Sequence, residues 1–178
     1  MHPAWNNWYH VHQHTYGTWL PGDPRGFRTR EHREHVDGDY KNPPPRGKYD
    51  ERHEKSKSLM SRPPVRVVKD IRQFVVDAVA DKLCRDGIQV LVVCLDGIHL
   101  HLLGKFADHL VRHWVGRAKK HSSHLVRQAG LRTEKGGLWS ELCSVKPIKD
   151  REHQCRVFNY ILEHQDRGAA IWRFDAKR

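Results

Sequence analysis

The sequence predicts an α+β fold, a ferredoxin-like antiparallel sheet with helices on one face plus a C-terminal helix. Segments with strand periodicity and segments with helical periodicity follow one another in the order strand, helix, strand, strand, helix, strand, helix. An Asp96-Gly97 pair, a common two-residue hairpin turn, separates two apolar strands. Two split β-α-β halves in this order indicate a single domain over residues 1–178.

Each element has its own signal. Residues 8–20 alternate and are rich in aromatic and β-branched types, which indicates a strand. An apolar stripe at helical spacing follows Pro63-Pro64, and Gly87 closes that helix. Asp150 is a plausible cap for the last helix. The remaining boundaries are helix 65–85, strand 88–95, strand 98–104, helix 108–129, strand 138–145 and final helix 150–165.

One segment does not fit this pattern. Residues 21–64 hold seven of the nine prolines, charges of both signs and few apolar residues. Such a composition is poorly suited to a hydrophobic core. We therefore predict a Pro-rich charged insertion at about 21–64 rather than a second domain.

The charge of the chain indicates its partners. Lys and Arg number 32 against 21 Asp and Glu, which gives a net charge of +11. An excess of this size favours a polyanion such as nucleic acid, although solubility alone also explains it. No run of 18 apolar residues occurs, so no membrane partner is expected. The four cysteines lack CxxC spacing, which favours free thiols in a reducing cytoplasm.

Two histidines stand out in the predicted hairpin. His99 and His101 are two apart on one apolar strand, so their imidazoles share a face and can grip one cation. Two half-exposed strand histidines are the simpler interpretation, since the chain has 15 histidines. The alternating cluster His10, His12 and His14 shows how readily the pattern arises by chance. Polar groups in an apolar strand nevertheless need a reason, because burying them without partners costs free energy.

The last helix supplies such a reason. Tyr160 and His164 are four apart and project from one helical face. A tyrosine beside a metal site can attack phosphorus, and His164 can complete a three-ligand site with His99 and His101. The simpler interpretation of Tyr160 is an aromatic residue at the edge of the core.

These segments resemble a known family. The stretch LDGIHLHLLGKF resembles the histidine-hydrophobe-histidine motif of the HUH nucleases, and FNYILEH looks like the catalytic helix of their single-tyrosine transposases. That group includes insertion-sequence and REP-associated tyrosine transposases. Further matches are YHVHQHTYGTW, VGRAKKHSS and GAAIW. The resemblance covers roughly residues 8–20 and 65–173.

The resemblance implies a function. Tyr160 would cleave single-stranded DNA at hairpin-bearing element ends, giving a 5′-phosphotyrosine and a free 3′-hydroxyl, with Mg²⁺ or Mn²⁺ as the only cofactor. His99 and His101 would be ligands, and the third ligand would be His164, where many members carry glutamine. Relatives build each site within one chain or share it across a homodimer. A bacterial cytoplasmic, nucleoid-associated location is expected.

The second predicted helix carries much of the positive charge. Such a helix can contact DNA phosphates, or it can be an ordinary solvated face. Its candidate DNA-binding residues are Arg112, Arg117, Lys119 and Lys120.

Three other functions remain open. The first is a DNA-binding protein of the same fold without catalysis. The second is an RNA-binding ferredoxin-like module, although strand 98–104 offers His and Leu instead of aromatics. The third is a zinc hydrolase or zinc-stabilised domain, although HExxH and cysteine ligand spacing are missing.

Overall fold

The computed structural model describes residues 4–29, 33–39 and 41–175. Its contacts divide the chain into two compact units. The segments up to Thr15 and from Arg66 onward form the first, and Tyr16–Val65 forms the second. The bounds of the second unit lie close to those of the insertion predicted at 21–64.

The first unit has the predicted α+β architecture, built on an antiparallel sheet. Its five strands in the described residues are β1 (Trp8–Thr15), β2 (Gln89–Leu95), β3 (His99–Lys105), β4 (Trp139–Pro147) and β5 (Ala170–Arg173). Their order across the sheet is β4-β1-β3-β2-β5, and the neighbouring pairs run antiparallel. The first four strands are compatible with a ferredoxin-like arrangement, and β5 extends the sheet beyond β2.

Helices cover the sheet from both sides. In the described residues they are α1 (Asp50–Ser58) in the second unit, and α2 (Lys69–Arg85), α3 (Val111–Gln128) and α4 (Arg151–Leu162) in the first. α2 and α3 pack against each other, and Trp139 of β4 donates to Ser122 of α3 at 3.0 Å. α4 packs on the other face, where Val157 and Ile161 meet Leu103 of β3. None of the helices described combines the length and apolar character needed to cross a bilayer.

Alternation along β1 separates these two faces. The residues that face α2 and α3, Val11 and Gln13 among them, are buried, while the histidines between them are half-buried. The same alternation places Leu102 of β3 on the α2 and α3 side and His101 on the α4 side. The histidines therefore lie on the face that α4 covers in part.

The hairpin between β2 and β3 fixes the start of α2. The Val67 N–H donates to the Gly97 carbonyl at 2.8 Å, which keeps this segment extended, so α2 begins at Lys69 rather than at Val65. Gly97 has φ +116°, and a Cβ there would lie 2.7 Å from Arg72 Nη2. The turn therefore requires glycine.

The second unit relies on polar contacts around a small apolar centre. Val36 is 1% exposed. The Asp23 carboxylate, which is buried, pairs with Arg25, and Asp37 accepts hydrogen bonds from Lys48 Nζ at 2.6 Å and the Tyr49 hydroxyl at 2.7 Å. Charged side chains thus perform part of the packing role that apolar ones perform in the first unit.

Candidate functional site

Two neighbouring strands place five histidines on one face of the sheet. The register of β1 and β3 sets His12 opposite His101 and His14 opposite His99, and His10 is one step further along β1. Residues directly opposite in an antiparallel pair point to the same face. The structure therefore brings together the predicted pair on β3 and the alternating histidines of β1.

Three of these imidazoles form a group that could hold a metal ion. The candidate ligand nitrogens of His12, His14 and His99 all lie within 4.8 Å of one another, and each residue is half-buried. The ring centroids of His12 and His14 are 4.5 Å apart, and those of His14 and His99 are 4.9 Å apart. The predicted set of His99, His101 and His164 does not form such a group within the part of the chain described.

His101 belongs to a second set of contacts. Its Nδ1 lies 3.1 Å from His10 Nε2, and its ring stacks on that of His164 with centroids 4.8 Å apart. The rings of His101 and His12 are nearly parallel, with an interplanar angle of 8° and centroids 4.5 Å apart. The two sets are therefore in contact with each other.

Tyr160 lies beside this second set. Its ring meets His101 and His164 edge-on, with centroid distances of 5.5 and 5.0 Å. The side chain of Tyr160 is 43% exposed, so it also faces solvent. Ile161, which is fully buried, fixes the rotation of α4 about its axis, and the Asp150 carboxylate caps the helix by accepting from the His153 N–H at 2.7 Å.

Asp96 orients His99. Its Oδ2 lies 3.0 Å from His99 Nδ1, and its Oδ1 accepts the N–H groups of Ile98 and His99 at 3.0 and 2.8 Å. Burial raises the pKa of the Asp96 carboxyl, but these hydrogen bonds lower it further, so its net pKa lies below the usual range. An ionised carboxylate can only accept, so His99 Nδ1 donates and Nε2 is left as the ligand atom.

Burial keeps most of the cluster neutral. It lowers the pKa of His10 to about 4, of His12 to about 3 and of His101 to about 2, and the positive charge of neighbouring histidines and Lys146 adds to the effect. Burial also lowers the pKa of His164. His164 Nε2 is buried without a hydrogen-bond partner in the described residues. Neutral imidazoles are the form that binds metal ions.

The donor atoms of the cluster determine which cation fits. Imidazole nitrogen suits zinc, copper, iron and nickel, whereas magnesium and manganese prefer oxygen ligands. The three-histidine group therefore fits a transition-metal ion. Magnesium or manganese would have to take oxygen ligands from water or substrate.

Comparison of the chain with protein-family models and with curated proteins finds no match. What the cluster can do is accordingly inferred from its own donors and their surroundings.

The predicted DNA-binding residues lie elsewhere. α3 packs on the face of the sheet opposite to the histidines, so the structure does not bring the two together. Lys119 Nζ donates to the carbonyls of Ser140 and Glu141 at 2.6 and 2.7 Å, and Arg117 pairs with Asp86 at 3.2 Å. Arg112 and Lys120 are exposed. Lys119 and Lys120 also line a cavity of about 450 Å³ between α3 and the start of β4.

Sequence reasoning missed the role of His12 and His14. The available signal is their alternation with His10 on one strand, which in a histidine-rich chain does not differ from chance. The pairing of β1 with β3 gives that alternation its meaning, because it aligns His12 with His101 and His14 with His99.

Proposed function

We propose that this chain is a metal-dependent transposase that nicks single-stranded DNA and transfers the strand through a 5′-phosphotyrosine at Tyr160. The observation that supports this proposal is the packing of the Tyr160 ring against His101 and His164, at 5.5 and 5.0 Å. The phenol combines solvent exposure with immediate contact to neutral imidazoles. A nucleophile of this kind needs access to its substrate and a nearby base.

The reaction would proceed by one displacement at phosphorus. The Tyr160 oxygen forms a bond to the phosphorus, the bond from phosphorus to the 3′-oxygen breaks, and the 3′-oxygen leaves as a hydroxyl after taking up a proton. The 5′-phosphate remains on the tyrosine. Attack by another 3′-hydroxyl reverses the step and completes strand transfer, with release of the phenol.

The neighbouring side chains have distinct roles in this scheme. The imidazoles of His101 and His164 can accept the phenol proton, since both rings lie against Tyr160 and are neutral at pH 7. A divalent cation, Mg²⁺ or Mn²⁺ by resemblance to the HUH transposases, would neutralise charge on the scissile phosphate. His99, His101 and His164 are its proposed ligands.

The proposed partner is single-stranded DNA. The net charge of +11 favours a polyanion. Arg112 and Lys120 are exposed and available for phosphate contacts, whereas Lys119 already bonds two backbone carbonyls. Hairpin-bearing element ends as the substrate, a homodimer as the assembly and the bacterial cytoplasm as the location follow from the resemblance.

The test is a nicking assay on end-labelled single-stranded oligonucleotides with Mn²⁺ or Mg²⁺. Wild-type protein should form a covalent adduct with the 5′-phosphate and release a 3′-hydroxyl that a polymerase can extend. Tyr160→Phe should form no adduct yet bind DNA as before, because it removes one oxygen from a partly exposed side chain. Tyr16→Phe, which removes a phenol oxygen from the second unit, is the matched control and should keep full activity. An adduct with Tyr160→Phe, or none with wild-type protein, would contradict the proposal.

A further inference from the structure

We propose that His12, His14 and His99 form a binding site for a zinc-type transition-metal ion, separate from the His101–His164 pair beside Tyr160. The three residues come from the facing ends of β1 and β3, where His14 and His99 are directly paired. The site goes beyond the transposase function proposed above and does not depend on it.

The geometry of the three imidazoles suits such an ion. Zinc binds histidine nitrogen at about 2.0–2.1 Å, so tetrahedral ligand nitrogens lie about 3.3 Å apart. The candidate nitrogens of His12, His14 and His99 lie within 4.8 Å of one another. Small rotations of the side chains therefore close the site, without movement of either strand.

Asp96 completes the site from behind. Zinc-binding histidines commonly donate their second ring nitrogen to a carboxylate, which fixes the tautomer and raises the basicity of the ligand. His99 Nδ1 lies 3.0 Å from Asp96 Oδ2 in this arrangement. The same carboxylate also holds the turn between β2 and β3 through the Ile98 and His99 N–H groups. The ligand and its support are thus built into one hairpin.

The type of ion follows from the donors. Three nitrogen ligands without a protein oxygen favour zinc, nickel or cobalt over magnesium. All three histidines are half-buried, so solvent reaches a fourth position where water can bind. An ion held in this way links β1 to β3 at the end of the sheet where the β2–β3 turn lies.

Contacts of His101 separate this site from the tyrosine. His101 Nδ1 lies 3.1 Å from His10 Nε2, and its ring stacks between those of His12 and His164. His101 is therefore held by the second set of contacts, while His99 lies with His12 and His14. Zinc binding should depend on the β1 histidines and not on the residues of α4.

The experiment measures zinc binding to the full chain after removal of metal with a chelator. Competition with a chromogenic chelator gives the affinity and the stoichiometry, and Co²⁺ substitution gives an absorption spectrum that reports the ligand geometry. Wild-type protein should bind one zinc ion. His14→Gln should weaken binding at least tenfold, and Asp96→Asn should weaken it by roughly 10–100-fold. His164→Gln, which removes an imidazole from the same cluster but not from the site, is the matched control and should bind zinc as wild-type does.

Several results would overturn the proposal. They are the absence of zinc binding by wild-type protein, unchanged affinity in His14→Gln, or a loss in His164→Gln as large as that in His14→Gln. X-ray absorption at the zinc edge of the wild-type protein tests the site even where a variant folds poorly, since it should report imidazole nitrogen and oxygen but no sulfur. Tyr160→Phe should leave zinc binding intact, so failure of the transposase proposal and failure of this one are distinguishable.

Discussion

Acidification of the metal-free protein should destabilise it steeply between pH 7 and pH 5. Burial lowers the pKa values of His10, His12 and His101 to about 4, 3 and 2, whereas histidine in the unfolded chain has a pKa near 6.5. Between these values the unfolded state binds protons that the folded state does not bind. The stabilising contribution is therefore fully present above about pH 6.5 and is lost as the pH falls towards the folded-state values.

The size of the effect follows from these pKa values. Taking up one proton only in the unfolded state costs the folded state about 1.8 kcal/mol between pH 7 and pH 5. Three such histidines together cost at most about 5 kcal/mol, which is comparable with the total stability of many domains. This figure depends little on the folded-state pKa values, because all three lie below pH 5. Carboxyl groups with a lowered pKa, such as Asp96, lose their contribution only at lower pH.

Urea unfolding at pH 7, 6 and 5 in the presence of a chelator measures this loss. His12→Gln should reduce the loss by about 1.8 kcal/mol, the share of one histidine. His124→Gln, at an exposed position on α3, is the control and should not change it. A wild-type loss smaller than the share of one histidine would refute the reasoning, since it would mean that the folded cluster accepts protons as readily as the unfolded chain does.

Two further substitutions test the roles of α3 and of the core. Lys119→Glu should lower the free energy of unfolding by about 2–3 kcal/mol, because it removes the ammonium that binds the Ser140 and Glu141 carbonyls. Lys120→Glu at its exposed neighbour should leave stability within about 0.5 kcal/mol. In single-stranded DNA binding it should reduce the slope of log affinity against log salt by about 0.7 for each phosphate that the lysine neutralises. Equal destabilisation by both substitutions would contradict this division. Leu103→Ala should cost about 2–5 kcal/mol in urea unfolding, since Leu103 is fully buried beneath α4.

Elements with a strong periodic pattern could be predicted from the sequence. The apolar run of β2, the hairpin at Asp96-Gly97 and the Asp150 cap of α4 lie where local chemistry indicates. β5 could not be predicted, because its four residues, Ala170–Arg173, are too few to show a period and depend on pairing with β2. The first strand ends at Thr15 rather than at residue 20. The sequence pattern also misses α1, since its residues are almost all polar and bury none of their side chains.

The candidate site shows where local pattern stops being informative. Strand alternation alone places His99 and His101 on one face, as it does His10, His12 and His14. Which histidine of β1 meets which histidine of β3 depends on the register between strands that are about ninety residues apart in sequence. A slip of two residues would preserve every face, yet it could set His10 opposite His101 and His12 opposite His99, with His14 beyond the pair. The three-histidine group exists only in the observed register, which the packing of both faces of the sheet selects. The assignment of His99 to its ligand partners is therefore a property of tertiary structure, and zinc binding by the His14 and His164 variants tests it directly.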